Sequence, residues 1–167
     1  NNFKEDVDRL VAAIDSNTSF VYIDNPNNPT GQFLSNDELE RIVSKCEEMK
    51  VYAIIDEAYA DFVEDPAFET GMTLVKEGLK NVLVTRTFSK FYALAGYRVG
   101  YLLAQPEVVE DVEKFMSLDN TNLAGAVAAV ASLQDKTFAK LSFQSNSASR
   151  QIVQNVLTEL GLKFAPS

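Results

Sequence analysis

The chain has 167 residues, 46% hydrophobic and 23% charged, with a formal net charge of −9; it fits one ordinary globular domain long enough to bury a core. No Lys/Arg run offsets that charge to make a nucleic-acid surface, and no apolar stretch approaches the roughly 20 residues of a membrane span. One cysteine and no histidine exclude an intrachain disulfide, thiol-rich or His-containing metal sites, and Ser-His-Asp or Cys-His chemistry, so catalysis must come from lysine, tyrosine, carboxylates or a cofactor.

Val7, Leu10, Val11 and Ile14 recur at helical spacing and predict a short opening helix. The apolar run Phe20–Ile23 predicts a buried strand, and the Asn/Pro-dense Asp24–Gly31 a loop. Ser35 with Glu38 forms a capping box, and Leu39, Ile42, Val43, Cys46 and Met49 make one apolar stripe, so the next helix buries the Cys46 thiol. Val51–Ile55 is continuously apolar, as expected of a central strand covered on both faces. Strand, helix, strand at this spacing predicts a βαβ unit with parallel strands. A weaker helix near Met72–Gly78 leads to a third strand at Val82–Thr85. About a dozen residues, interrupted by Gly96, then separate it from Val99–Ala104, too few for a helical crossover, so this fourth strand is predicted antiparallel. Pro106 opens a helix carrying Val108, Val109, Val112, Phe115 and Met116. An Ala-rich helix that reads as buried covers Leu123–Leu133, and a last one runs over about 136–160 to a C′ glycine, Gly161. Leu162–Ala165 reads as strand-like, and the chain starts at Asn1 rather than methionine, so it reads as a piece of a longer protein.

Three polar motifs fall at the carboxyl ends of the three strands expected to be parallel: Asn28-Pro29-Thr30-Gly31, Asp56-Glu57-Ala58-Tyr59 and Thr87-Phe88-Ser89-Lys90. In open α/β sheets that edge is where ligands bind. Singly, each has an ordinary explanation. Asn-Pro-Thr-Gly is good turn chemistry, Asp56 suits the cap of a loop, Tyr59 a core ring, Lys90 a solvated charge and Arg98 a partner for one of the 24 acidic residues. Together they match one ligand. Pyridoxal 5'-phosphate needs an amine to form an imine, an acid partner for its ring nitrogen, donors for its phenolic oxygen and an anion site for its phosphate.

Asn25–Gly31 (NPNNPTG), Asp56–Tyr59 (DEAY), Arg86–Lys90 (RTFSK) and Ala95–Gly100 (AGYRVG) closely resemble the class I/II, fold-type I aminotransferases, above all their histidinol-phosphate aminotransferase branch. The resemblance runs in order over nearly the whole chain, with family-like spacings of 28 residues from Asn28 to Asp56, 34 from Asp56 to Lys90 and 8 from Lys90 to Arg98. It implies an α/β fold: the central part of the large domain, a mostly parallel sheet flanked by helices, over 1–135, then a connecting helix and the start of the small C-terminal domain over 136–167. It also implies roles. Lys90 carries the cofactor and moves the substrate proton, Asp56 pairs with the ring nitrogen, Asn28 and Tyr59 face the phenolic oxygen, and Thr87, Ser89 and Arg98 hold the phosphate. The peptide before the proline matching Pro29 is often cis in this family. Arg86 matches a family position too, where an ion pair and a ligand role are equally good readings.

The implied function is transfer of an amino group between an amino acid, histidinol-phosphate-like, and a 2-oxo acid, by a cytoplasmic homodimer with each site near the subunit interface. No nucleic-acid or membrane partner is expected of this segment. The family's upstream phosphate-binding loop, its ring-stacking aromatic and its downstream carboxylate-binding arginine have no counterparts in the chain, so activity is expected of the full-length protein and not of this segment alone. A phospho-amino-acid decarboxylase of the same fold and the aminotransferase-like sensor domain of a transcription regulator are the alternatives. The blandest one is an α/β domain without cofactor.

Overall fold

A computed structural model describes residues 3–117 and 120–165. Its centre is a four-stranded sheet in the order β1 (Phe20–Asp24), β2 (Tyr52–Asp56), β3 (Val82–Thr87), β4 (Gly100–Leu103). The first three strands are parallel and β4 is antiparallel to β3, as predicted from the short connection. Around the sheet run α1 (Val7–Ala13), α2 (Asn36–Met49), α3 (Met72–Lys76), α4 (Pro106–Glu113), α5 (Leu123–Gln134) and the long α6 (Lys136–Glu159).

The α2 helix begins where its sequence says. The Ser35 hydroxyl accepts from the Glu38 N–H at 3.3 Å, and the Glu38 carboxylate accepts from the Ser35 N–H at 2.8 Å. Its other end has no glycine: Lys50 itself takes the left-handed conformation at φ 57°. Leu39, Ile42, Val43 and Cys46 are fully buried against Val21, Ile23, Ala53, Ile55, Val82 and Val84. Burying each such aliphatic side chain contributes roughly 1.5–3 kcal/mol. Burial also pushes the Cys46 thiol up to about 11, which leaves it an inert core group. The α6 helix stops at Gly161, φ 66°, with Leu162 N–H donating to the Leu157 carbonyl at 2.9 Å and Gly161 N–H to Thr158 at 3.0 Å, a Schellman ending.

Four expectations are corrected. The second face of the sheet is only partly covered among the described residues: Val51, Ala53 and Ile55 are buried on the first face, whereas on the second Leu83 is buried but Phe20, Tyr22 and Tyr52, toward the β1–β2 side, are 57%, 54% and 43% exposed. The Ala-rich α5 is a helix but not a buried one, because it rests only its Gly125 and Ala129 side near Val99 and leaves Leu123 and Val127 in solvent. The α4 helix ends at Glu113, so Phe115 and Met116 lie beyond it and outside the core. Residues 162–165 form no strand. Gly100 has a steric reason: a Cβ there would stand 2.7 Å from the Arg86 carbonyl oxygen across the β3–β4 pair.

Ile42→Ala is expected to lower unfolding free energy by about 2–5 kcal/mol, and Ser35→Ala, which removes only a cap, by about 1 kcal/mol. Urea unfolding followed by circular dichroism separates the two, and equal losses would refute the stripe-over-cap ranking.

Candidate functional site

Parallel pairing sets Asp24 beside Asp56 and Asp56 beside Thr85, so β1 and β2 end at one level and β3 runs two residues further, to Thr87, before its motif leaves the same edge. The ladder continues past the strand ends: Asn25 N–H donates to the Asp56 carbonyl at 2.8 Å and Glu57 N–H to the Thr85 carbonyl at 2.9 Å. From these fixed points the three polar motifs begin.

The first loop is organised by its own amides. Asn25 is buried and its side-chain oxygen accepts from Leu34 N–H at 2.8 Å. Asp24 accepts from the Asn28 backbone N–H at 2.8 Å and the Asn27 side chain at 2.9 Å, and Asn27 in turn accepts from the Thr30 hydroxyl at 2.7 Å. The Asn28–Pro29 peptide is cis, matching the expectation, and so is Asn25–Pro26. This holds Asn28 out over the sheet edge, where its Nδ2 donates to the Tyr59 hydroxyl at 3.4 Å.

Asp56 ends β2 with both carboxylate oxygens engaged: Oδ1 accepts from Ala58 N–H at 3.0 Å, and Oδ2 from the Tyr22 hydroxyl in a short bond. That bond, with desolvation and the charges of Asp56 and Asp24, pushes the Tyr22 phenol up to about 12. Glu57 points to the opposite face of the sheet. There it is fully buried and meets Arg86, whose Nε donates at 2.8 Å, while Thr70 and Gly71 donate at 2.6 and 2.5 Å. Arg86 also pairs with Asp61 at 3.1 Å. The two readings of Arg86 are thereby separated: it is a structural ion-pair partner.

After β3 the chain turns sharply, with Phe88 and Val99 paired at 3.1 Å and Leu94 N–H returning to the Phe88 carbonyl at 3.0 Å. The Thr87 hydroxyl accepts from Ser89 N–H at 3.1 Å and lies 3.4 Å from the Val99 carbonyl. Lys90 stands at the tip of this turn, its Nζ 5.5 Å from the centre of the Tyr59 ring. A cleft of about 1380 Å³ opens there, lined by Asn28, Tyr59, Ser89 and Lys90 on one side and by Arg150 and Val153 of α6 on the other. The Ser142 hydroxyl donates to the Phe91 carbonyl at 2.7 Å, and Arg150 pairs with Glu64; both tie α6 to the sheet edge.

Of the seven site residues expected from the sequence, Asn28, Tyr59, Ser89 and Lys90 thus share one cleft, and Asp56 and Thr87 end adjacent strands just behind it. Arg98 stands apart. It is exposed, left-handed at φ 52°, and its guanidinium donates to the Ala95 carbonyl at 2.9 Å; among the described residues no hydrogen bond joins it to Thr87 or Ser89. Sequence reasoning missed Tyr22, Asp24 and Arg150. Tyr22 and Asp24 carried a faint signal, polar groups at alternate positions on a strand otherwise apolar; Arg150 carried none.

The family model described as Aminotransferase class I and II matches residues 1–167. The chain belongs to the class I and II aminotransferase family. A histidinol-phosphate aminotransferase of Moorella thermoacetica is 37% identical over 99% of this chain and 43% of its own length. A crystal structure from Erwinia carotovora atroseptica superposes with a TM-score of 0.90 at 36% identity, covering 100% of this chain and 49% of that one. A histidinol-phosphate aminotransferase from Sinorhizobium meliloti, solved in complex with pyridoxal-5'-phosphate, gives 0.82 at 31% identity, covering 97% and 44%. The chain spans under half the length of these aminotransferases, so its fold is a portion of theirs. No helix among the described residues is long and apolar enough to cross a membrane.

Arg86→Met should destabilise by about 3–5 kcal/mol because it leaves the Glu57 charge buried and unpaired. Adding Glu57→Gln should recover part of that loss in the same unfolding experiment. A double variant no more stable than the single one would argue against Arg86 serving to neutralise Glu57.

Proposed function

We propose that the protein is a pyridoxal 5'-phosphate-dependent aminotransferase that moves an amino group between an amino acid and a 2-oxo acid, with Lys90 as the catalytic amine. The observation that carries this reading is the meeting of Lys90, Tyr59, Asn28 and Ser89 in one cleft at the carboxyl edge of a parallel sheet, with the Asp56 carboxylate held just behind. The residues fit the cofactor. The cleft has room for it, the amine reaches into that space, two donors meet each other at 3.4 Å, and the carboxylate has a set orientation.

When bound, pyridoxal phosphate supplies an electron-accepting ring conjugated to the carbon that takes the substrate amine. Lys90 would hold the cofactor through its Nζ and would carry the proton to and from the substrate α-carbon. Asp56 keeps a proton on the ring nitrogen. Asn28 and Tyr59 converge on the phenolic oxygen. Thr87, Ser89 and Arg98 would take the phosphate.

The names of the Moorella and Sinorhizobium relatives support a histidinol-phosphate-like amino acid as the substrate. In this reading residues 1–135 belong to the cofactor-binding large domain, and 136–167 are the connecting helix and the start of the small domain. The full-length protein is a cytoplasmic homodimer.

Full-length protein incubated with pyridoxal phosphate and reduced with borohydride should carry the cofactor mass on the Lys90 peptide. Lys90→Ala should lose that label and at least about 10²–10⁴-fold in transamination rate. The isolated 167-residue segment should show no turnover. Label retained in the variant would remove Lys90 from this role.

A further inference from the structure

Asp56 is expected of any member of this family; what holds its carboxylate in place is particular to the surrounding residues. Two hydrogen bonds fix it from opposite sides. Ala58 N–H reaches Oδ1 at 3.0 Å from the loop that follows β2, and the Tyr22 hydroxyl reaches Oδ2 from the neighbouring strand β1. The register explains the reach. Tyr22 pairs with Ile54, two residues before Asp56, so a long side chain leaning along the strand ends beside the carboxylate.

Asp24, the register partner of Asp56, cannot take the place of the phenol. A carboxylate only accepts, and its oxygens already accept from Asn27 and Asn28. With its ionisation pushed up to about 12 by the Asp56 hydrogen bond, desolvation and the Asp56 and Asp24 charges, Tyr22 stays a neutral donor throughout the working pH range. Tyr22 is also 54% exposed, so burial of its ring does not explain its presence. Phenylalanine would fill the same space; only the hydroxyl reaches the carboxylate.

We propose that Tyr22 is a positioning residue whose phenol orients the Asp56 carboxylate toward the protonated ring nitrogen of the cofactor. This rests on the aminotransferase reading above. It implies that the hydroxyl matters only for a ligand that has that nitrogen.

The test uses full-length protein and two ligands: pyridoxal phosphate, and its analogue with carbon in place of the ring nitrogen. Tyr22→Phe should weaken pyridoxal phosphate binding about tenfold, equivalent to ~1.4 kcal/mol, and change the dissociation constant of the carbon analogue less than about twofold, within about 0.4 kcal/mol. On an Asp56→Asn background, adding Tyr22→Phe should cost nothing further with either ligand. Equal weakening of both ligands, no weakening of either, or a persisting tenfold loss without Asp56 would each overturn the positioning role. Failure of the underlying reading looks different. Wild-type protein would then take no borohydride-fixed label on Lys90 from either compound, and the Tyr22 role would fall with it.

Discussion

Parallel pairing of β1, β2 and β3 is the constraint from which the site follows. Because Asp24, Asp56 and Thr85 sit at one level, and β3 runs only two residues further, the three polar motifs leave one edge of the sheet close together. Residues as far apart in sequence as Asn28, Tyr59 and Lys90 then need only short loops to meet. The ladder bonds that run one residue past the strands, Asn25 to Asp56 and Glu57 to Thr85, keep those departure points rigid. A backbone bond at such a point is worth only about 1 kcal/mol net, but it fixes position, which is what a multi-residue site requires.

Strand alternation divides the labour between two faces. Asp56 and Thr87 belong to the functional face, while their chain neighbours Glu57 and Arg86 turn the other way and pair in a nearly water-free place with Thr70, Gly71 and Asp61. One dipeptide at the end of each strand therefore supplies both a chemical group and its mechanical support. A buried ion pair of this kind is weak evidence for stability by itself, since desolvation offsets its attraction. Its value here is geometric: it joins the ends of β2 and β3 directly behind Asp56 and Thr87.

Much of this was legible in the residues. Capping and periodicity located α2, the Gly161 ending of α6 and the parallel βαβ unit, because those signals are local and act within a turn or two of helix. The antiparallel β4 was legible from a connection too short for a crossover. Two of the errors share one cause. Val51–Ile55 and Leu123–Leu133 are apolar enough to be buried on all sides, yet apolarity states only that a surface favours cover and not that a neighbour provides it. Phe115 and Met116 kept helical spacing with Val108 and Val112, but α4 ends at Glu113, leaving them outside the core. Leu162–Ala165 had the composition of a strand but takes irregular backbone.

The residues by themselves determined the chemical inventory: a lysine, a carboxylate, a tyrosine, an asparagine and two hydroxyls in an order and spacing that the class I and II aminotransferase family shares, with no histidine to offer a rival chemistry. Motif identity is a property of the chain, so it survives without coordinates. Which groups touch is not. Only the tertiary structure decided that Tyr22 completes the Asp56 carboxylate, that Asp24 holds Asn28, that Arg86 is committed to Glu57 and that α6 closes the far wall of the cleft. Each of these contacts joins separate strands, a strand to a loop, or a helix to a loop at the sheet edge. Its partners are set by register and packing, which depend on the whole sheet at once and leave little trace in a local pattern of residues.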